Sequence, residues 1–566
     1  MPVQPTYPGV YVQEEPSGVR TITGVSTSTA VFIGRAKQGP LNEPLLCLSY
    51  PDFERTFSSV YADSDLARAV RLFFLNGGTK CYVMRIANGA GAAEVTLKNE
   101  AGTEEVLNVK AKSAGIIGNL IRLAVSYDGL QPESTFNLEV FRWKKNSQGQ
   151  WVKKDMEIWK SLNMDPNHPR YAVHYINQQS KVIYLTNIVT STPVDGYSRS
   201  GRPVAGLSDL LSLIDNDYSR FRISVDGGAF EEVDLYGVTD LNDIQSRINT
   251  LLPTGSVTVS LKTGPSSTQY LQISSTGGDV CIEPAADKDL SRTLMLGTAQ
   301  GGIEVSRFAY QRPAPNGIVF QMDKLNDFAA LAQNDFDTIT INGVEINLNK
   351  LNTTGTPADP MYADGYLPSP NVTGNNDGIR EKWNIIAEAI NDKRIDQSDF
   401  KWTAKVWGSR LALIPGADGD NEIGTLETSG GGGTDLKSYF LFNVRYYSLG
   451  TTGTGSYQAN GANGKDGDAP KQKEYKDAFE ILRKEVDLFN LLILPRDEDH
   501  KLEERNSLWG PASIFCQEER AFLLMDAPET WDAVQKATNP SDGVNSLRPG
   551  LVKDHSAVFH PRLIIR

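Results

Sequence analysis

The sequence predicts a multidomain protein of mixed α/β and α+β class, in which an α/β core is split by inserted β-rich domains. Three observations carry this. A chain of 566 residues exceeds what one hydrophobic core can organise, so three to five domains are expected. Residues 21–90 and 446–566 share one texture, continuous apolar strands alternating with amphipathic helices, which is the pattern of a sheet covered by helices. The residues between them read as glycine-punctuated strands and hairpins, and part of that stretch repeats. Gly 50 and Pro 29 against 9% aromatic residues suit such a loop-rich mixture.

Residues 1–20 read as an N-terminal arm. Thr6–Gln13 is an extended, exposed strand entered through a Pro-Gly bend, with Val10 and Val12 on one face and Tyr11 and Gln13 on the other. Pro5 and Pro8 keep it out of any helix. A strand at a free terminus with no hairpin partner must pair far away in its own chain or with another chain. The arm residues are therefore Tyr7, Pro8, Gly9, Val10, Tyr11, Val12 and Gln13, with a hinge at Pro16, Ser17 and Gly18.

Residues 21–90 open the core. A buried-type strand lies within Thr27–Pro40, helices at Tyr50–Phe57 and Asp65–Asn76, and a strand at Lys80–Ile86. Residues 91–204 form an α+β domain. Ala111–Val125 enters a strand, Phe136–Arg142 alternates, Lys144–Trp151 is a polar hairpin tip, Arg170–Asn177 is a helix and Lys181–Leu185 a strand. Residues 205–320 and 321–445 are two inserted β-β-α-β-β modules. In the first, a hairpin at Phe221–Leu235 precedes a helix at Leu241–Leu252 and strands at Val257–Leu261 and Gln269–Ser274. In the second, Phe336–Leu348 precedes a helix at Ile379–Asn391 and strands at Lys401–Val406 and Arg410–Ile414. Gly430–Gly433 and Gly450–Gly467 read as flexible connections. The α/β texture then returns with a helix at Tyr475–Leu488, a strand at Asn490–Pro495, a helix at Ser507–Arg520, a strand at Ala521–Asp526 and a last strand at Ser556–Ile565.

Composition excludes several function classes. The net charge of −13 is spread along the chain, so no nucleic-acid surface is expected. Cys47, Cys81, Cys281 and Cys516 are far apart and lack CxxC spacing, which points to buried free thiols of a reducing compartment. No leader peptide and no apolar run long enough to span a bilayer are evident, so neither secretion by that route nor membrane insertion is expected.

No catalytic constellation emerges. In the glycine-rich Gly455–Gly467, Asp466 stands where a phosphate loop needs Ser or Thr, and Ala459 where it needs Gly. His168, His174, His500, His555 and His560 lack metal-ligand spacing and read as satisfied or solvated. Asp497-Glu498-Asp499 with Glu503-Glu504 follows a buried strand, where a cation site is conceivable, but a solvated loop is the expectation. The Asp-Gly turns at Asp226, Asp377 and Asp418 lack the spaced acids of a calcium loop, and no G-x-S-x-G elbow occurs. The expectation is a non-enzyme with no cofactor and no metal.

The chain resembles the tail sheath proteins of contractile phages and related contractile injection systems. The resemblance rests on Tyr7-Pro-Gly-Val-Tyr-Val, Ala30-Val-Phe-Ile-Gly34, the Phe73–Arg85 helix–strand unit, the Ala111–Asn119 segment, Ser161-Leu-Asn-Met-Asp-Pro166, Leu491-Leu-Ile-Leu-Pro495, Cys516-Gln-Glu-Glu-Arg520, Leu523-Leu-Met-Asp-Ala-Pro528 and Ala557-Val-Phe-His-Pro-Arg-Leu563, in that order. It implies a split sheath core of 21–90 plus 446–566, and a subunit that polymerises as stacked hexameric rings around a tail tube protein. It implies baseplate and tail-terminator proteins as further partners, assembly in the host cytoplasm, a place in the virion, and contraction that drives the tube through the target envelope. The Tyr7–Gln13 arm would add a strand to a neighbour's sheet, and the 205–445 modules would lie outward. In that family the chain normally continues into a C-terminal arm; the sequence here ends at Arg566, so the second arm is unaccounted for. A tailocin or injection-system sheath would share this chain, separated only by neighbouring genes. A carbohydrate-active α/β protein would need a tight acid pair in a deep pocket, and a surface adhesin would need glycan binding by the isolated modules.

Overall fold

The computed structural model describes residues 29–561, apart from 253–255, 264–268, 325–337, 348–378, 417–421, 430–435, 452, 454 and 498–501. The class is mixed α/β and multidomain, as the sequence predicts. The chain divides into two compact units, residues 1–88 with 468–566, and residues 89–467.

The first unit is built on a six-stranded sheet in the order Pro44–Cys47, Cys81–Arg85, Ala30–Gly34, Leu491–Ile493, Phe522–Asp526, Ser556–Phe559. Only the Pro44–Cys47 edge runs antiparallel to its neighbour. The period of two along a strand sends alternate side chains to opposite faces. Val31 and Ile33 meet Tyr475, Phe479, Leu482, Trp509 and Phe515 on one face. Ala30 and Phe32 meet Phe53, Phe57, Leu66 and Val70 on the other. Both faces are thus covered by helices, which is why AVFIG is apolar at every position and fully buried. Helix Tyr50–Phe57 lies where the sequence predicts it, because Ser49 caps it by accepting from the Asp52 amide at 3.3 Å and Pro51 occupies the first turn. Helix Gln472–Glu485 begins with the Lys471 amide donating to the Glu474 carboxylate at 2.8 Å.

The second unit begins with two four-stranded sheets over one core. One has the order Tyr447–Ser448, Ile121–Ser126, Phe136–Lys145, Trp151–Leu162; the other Gln458–Ala462, Ala92–Lys98, Glu105–Ala114, Ile183–Asn187. Residues 447–462, assigned by sequence to the split core, pair here instead: Tyr447 opposite Leu123 and Gln458 opposite Leu97. Local pattern cannot reveal a partner more than three hundred positions away. Nor are residues 455–467 a flexible connection. Two of their glycines sit where backbones touch: a Cβ on Gly464 would lie 2.1 Å from the Gly115 carbonyl oxygen, and one on Gly461 2.4 Å from that of Gly450. The Gly464 amide donates to Asn119 at 2.8 Å and the Asp466 carboxylate accepts from the Ile116 amide at 2.8 Å. Gly430–Gly433 lies outside the described residues.

The repeat is larger than β-β-α-β-β. In the first copy, Glu231–Asp234, Arg220–Val225 and Val280–Pro284 form a three-stranded sheet, and Val257–Thr263, Gln269–Ser275, Tyr197–Arg199 and Ile303–Val305 a four-stranded one. In the second, Val344–Asn347, Thr338–Ile341 and Leu426–Ser429 correspond to the former, and Thr403–Trp407, Arg410–Ile414, Ile318–Phe320 and Phe440–Phe442 to the latter, in the same spatial order. Every pairing within these sheets is antiparallel. Tyr197–Arg199 therefore belongs with the first copy, not the 91–204 domain, and Ile318–Phe320 with the second copy rather than the first. Both are three-residue strands with no pattern of their own.

The intervening helices also correspond. Ile244, Ile248 and Asn249 of helix Leu241–Leu251 match Ile386, Ile390 and Asn391 of helix Ile379–Asp396; all four isoleucines are buried. Asn249 clasps Val257, accepting from its amide at 2.8 Å and donating to its carbonyl at 3.1 Å. Asn391 clasps Ala404 in the same way at 3.0 Å and 3.0 Å. Each amide side chain replaces the strand partner that the start of the second hairpin lacks. In the second copy the first hairpin turns on Asn342-Gly343, at φ 48° and 77°, the left-handed pair a two-residue hairpin requires.

Candidate assembly surfaces

The arm residues Tyr7, Pro8, Gly9, Val10, Tyr11, Val12 and Gln13, and the hinge residues Pro16, Ser17 and Gly18, lie outside the described residues. The described residues do present edges to which a strand could add. In the first unit, the Pro44–Cys47 and Ser556–Phe559 strands each pair on one side only among the described residues. Pro44 lacks an amide donor and blunts the first edge. Leu46 and Leu48 are exposed beside it, and Phe559 is exposed on the second. In the second unit the twelve-residue strand Trp151–Leu162 is an edge among the described residues, carrying exposed Trp151, Met156 and Ile158.

The carboxyl ends of the parallel strands, where an open α/β sheet usually binds its ligand, hold an ion pair. Arg35 follows Ala30–Gly34 and Asp497 follows Leu491–Ile493. The Arg35 guanidinium donates Nε to Oδ2 and Nη2 to Oδ1 of Asp497, both at 2.6 Å, with side chains 4% and 3% exposed. The Tyr61 ring lies 5.8 Å from the guanidinium carbon. Asp497 is thus not part of a solvated acidic loop; the sequence shows the run of acids but not the arginine 462 positions earlier that neutralises one of them. Glu498, Asp499 and His500 lie outside the described residues.

A second buried polar node sits within the other unit. The guanidinium carbons of Arg312 and Arg410 lie 4.0 Å and 4.9 Å from the Tyr127 ring centre. Arg410 pairs with Glu100 at 2.6 Å, and Arg312 donates to the Pro132 and Thr135 carbonyls at 2.9 Å and 2.8 Å. The Tyr127 hydroxyl donates to the Pro313 carbonyl at 2.9 Å, and burial raises its pKa. Burial likewise lowers that of Arg312. Three remote stretches, 100–135, 312–313 and the hairpin at 407–410, are tied together here. No local signal in the sequence marks these residues.

His555 and His560 contact the carbonyls of Ala521 and Trp531 at 2.9 Å each, and His168 accepts from the Arg170 amide at 3.1 Å. Among the described residues no group of three or more His, Cys, Asp or Glu could hold a metal ion. A cleft of about 340 Å³ lies between the Ile121–Ser126 sheet and the second repeat, lined in part by Asp128, Glu139, Lys405, Trp407 and Arg445. Its two carboxylates are already ion-paired, Asp128 with Lys405 at 3.0 Å and Glu139 with Lys153 at 2.6 Å. Among the described residues no helix is long and apolar enough to cross a membrane.

No protein-family model matches the chain, and no curated protein matches it. Solved structures similar in part include two sheath tail proteins. One is the sheath tail protein Lin1278 from Listeria innocua, 20% identical, over 29% of this chain and 30% of that chain, with a TM-score of 0.19. The other is the sheath tail protein DSY3957 from Desulfitobacterium hafniense, 15% identical, over 32% of this chain and 36% of that chain, with a TM-score of 0.21. The chain thus spans about a third of the length of each.

Proposed function

We propose that this chain is a structural subunit of a contractile tail sheath, which polymerises as stacked hexameric rings around a tail tube and contracts to drive the tube through a target envelope. One observation carries the reading. The segments whose wording is most sheath-like, from both ends of the chain, are the strands of a single sheet: AVFIG between CYVMR and LLI, with FLLMD and SAVF beyond. The role is mechanical, with no cofactor. Many identical copies must shift relative to one another without separating. An arm at Tyr7–Gln13, adding as a strand to an open sheet edge of a neighbour, would keep its backbone hydrogen bonds while the Pro16–Gly18 hinge swings. Energy would be stored in alternative subunit packings rather than in a nucleotide. The tube, baseplate and terminator are the partners this reading requires.

Electron microscopy of the purified chain across a concentration series tests it, alone and with a tail tube as template. Rings or striated tubes with sixfold symmetry are expected, and deletion of residues 1–15 should leave a folded monomer that builds no long tubes. A full-length chain that stays monomeric at every concentration and on the tube would overturn the proposal. Long regular tubes from the deletion variant would overturn the role of the arm.

A further inference from the structure

The four cysteines are widely spaced in the chain, but the fold brings two of them face to face. Cys47 and Cys81 are directly opposed across the antiparallel pair of the Pro44–Cys47 and Cys81–Arg85 strands. Directly opposed residues of such a pair have Cα atoms about 4.5–5.5 Å apart. That lies within the roughly 4.4–6.8 Å a disulfide spans. Both residues are buried, 1% and 0% exposed, against helices Tyr50–Phe57 and Leu66–Leu75. Both thiols are free, and the two side chains are hydrogen-bonded to each other.

We propose that Cys47 and Cys81 form a latent dithiol that a small peroxide oxidises to a cross-strand disulfide. The chemistry is complete with hydrogen peroxide as oxidant. The Cys47 thiolate attacks one peroxide oxygen, an S–O bond forms, the O–O bond breaks, and the hydroxide takes up the Cys47 proton as water. The Cys81 sulfur then attacks the Cys47 sulfenic sulfur; the S–S bond forms and the S–O bond breaks. The hydroxyl group departs as a second water with the Cys81 proton. Two thiols lose two electrons and the peroxide gains them.

The asymmetry between the thiols assigns the order. The hydrogen bond between the two lowers the pKa of Cys47, which together with its edge position supports Cys47 as the nucleophile and Cys81 as the resolving thiol. Burial holds the thiols of Cys281 and Cys516 up at about 12, leaving them poor nucleophiles. Among the described residues Cys47 also sits on the outermost strand of its sheet, so local fraying of that edge opens it first. The bond would close a loop containing both covering helices and tie the edge strand to its neighbour.

The test treats the native full-length chain with hydrogen peroxide, then blocks remaining thiols under denaturing conditions and maps the peptides. Two of the four thiols should disappear into one intramolecular link between the Cys47 and Cys81 peptides, reversible by dithiothreitol. C47S and C81S should each abolish the link, and the double variant C281S/C516S should retain it. Survival of all four thiols in the wild-type chain would overturn the proposal. So would a link that involves Cys281 or Cys516, or Cys47 sulfinic acid without Cys81 attached. The wild-type map decides even if a single variant fails to fold.

Discussion

Removing the Arg35 side chain is the sharpest test of how the first unit is held together. In Arg35→Ala the Asp497 carboxylate loses two charge-assisted hydrogen bonds of 2.6 Å while only 3% of that side chain reaches solvent. A buried carboxylate that loses its cation cannot recover its hydration, so breaking one side of such a pair costs about 3–5 kcal/mol. For a folding unit of roughly 150–250 residues each kcal/mol moves Tm by about 2–4 °C, so the transition of this unit should fall by about 6–20 °C. Arg35→Lys keeps the charge but not the fork, and should lose one charge-assisted hydrogen bond, about 1.5–3 kcal/mol. Replacing both partners together, R35M with D497L, should cost far less than Arg35→Ala alone, because no charge is left stranded. Differential scanning calorimetry of the four proteins, with limited proteolysis to assign the transition, reads all of this. If Arg35→Ala loses less than about 1 kcal/mol, or the double variant is no more stable than Arg35→Ala, the pair is not coupled as argued.

Gly464→Ala places a Cβ 2.1 Å from the Gly115 carbonyl oxygen, a backbone atom that cannot swing away, and should destabilise the second unit by about 1–3 kcal/mol in denaturant unfolding. A neutral outcome would mean that residues 455–467 yield as a flexible segment after all. Asn249→Ala and Asn391→Ala should each cost about 1–3 kcal/mol, since each leaves a strand amide and carbonyl without their partner. Unequal losses, one near zero, would argue that the two clasps are not equivalent and weaken the case for duplication.

Strong local pattern is what the sequence conveys well. Tyr50–Phe57 is legible because its cap, its proline and its buried phenylalanines all fall close together in the chain. The strands AVFIG and FLLMD are legible because a helix-covered sheet demands apolar runs. The two repeat helices are legible from isoleucines at helical spacing, and the hairpin at Asn342-Gly343 from its turn residues. Three kinds of feature escape. Short closing strands such as Tyr197–Arg199, Ile318–Phe320 and Tyr447–Ser448 carry too few residues for any period. Glycines that permit close packing read the same as glycines that permit motion, so residues 455–467 are misjudged. Buried polar partners read as solvated charge, so Asp497 is misjudged and the Tyr127 node is not seen at all.

The sequence alone therefore determines the mixed multidomain class, the position of the long helices and core strands, the existence of a repeat and the resemblance that motivates the sheath proposal. Each of these depends on residues close together in the chain, where sterics, capping and periodic burial act directly. Only the tertiary structure decides the strand order of the sheet that the two parts of the core share, that strands Tyr447–Ser448 and Gln458–Ala462 close the sheets of the inserted unit, that Arg35 meets Asp497, and that Cys47 faces Cys81. Those pairings join positions tens to hundreds of residues apart. They are selected by the burial and hydrogen bonding of the assembled unit, which no single segment encodes.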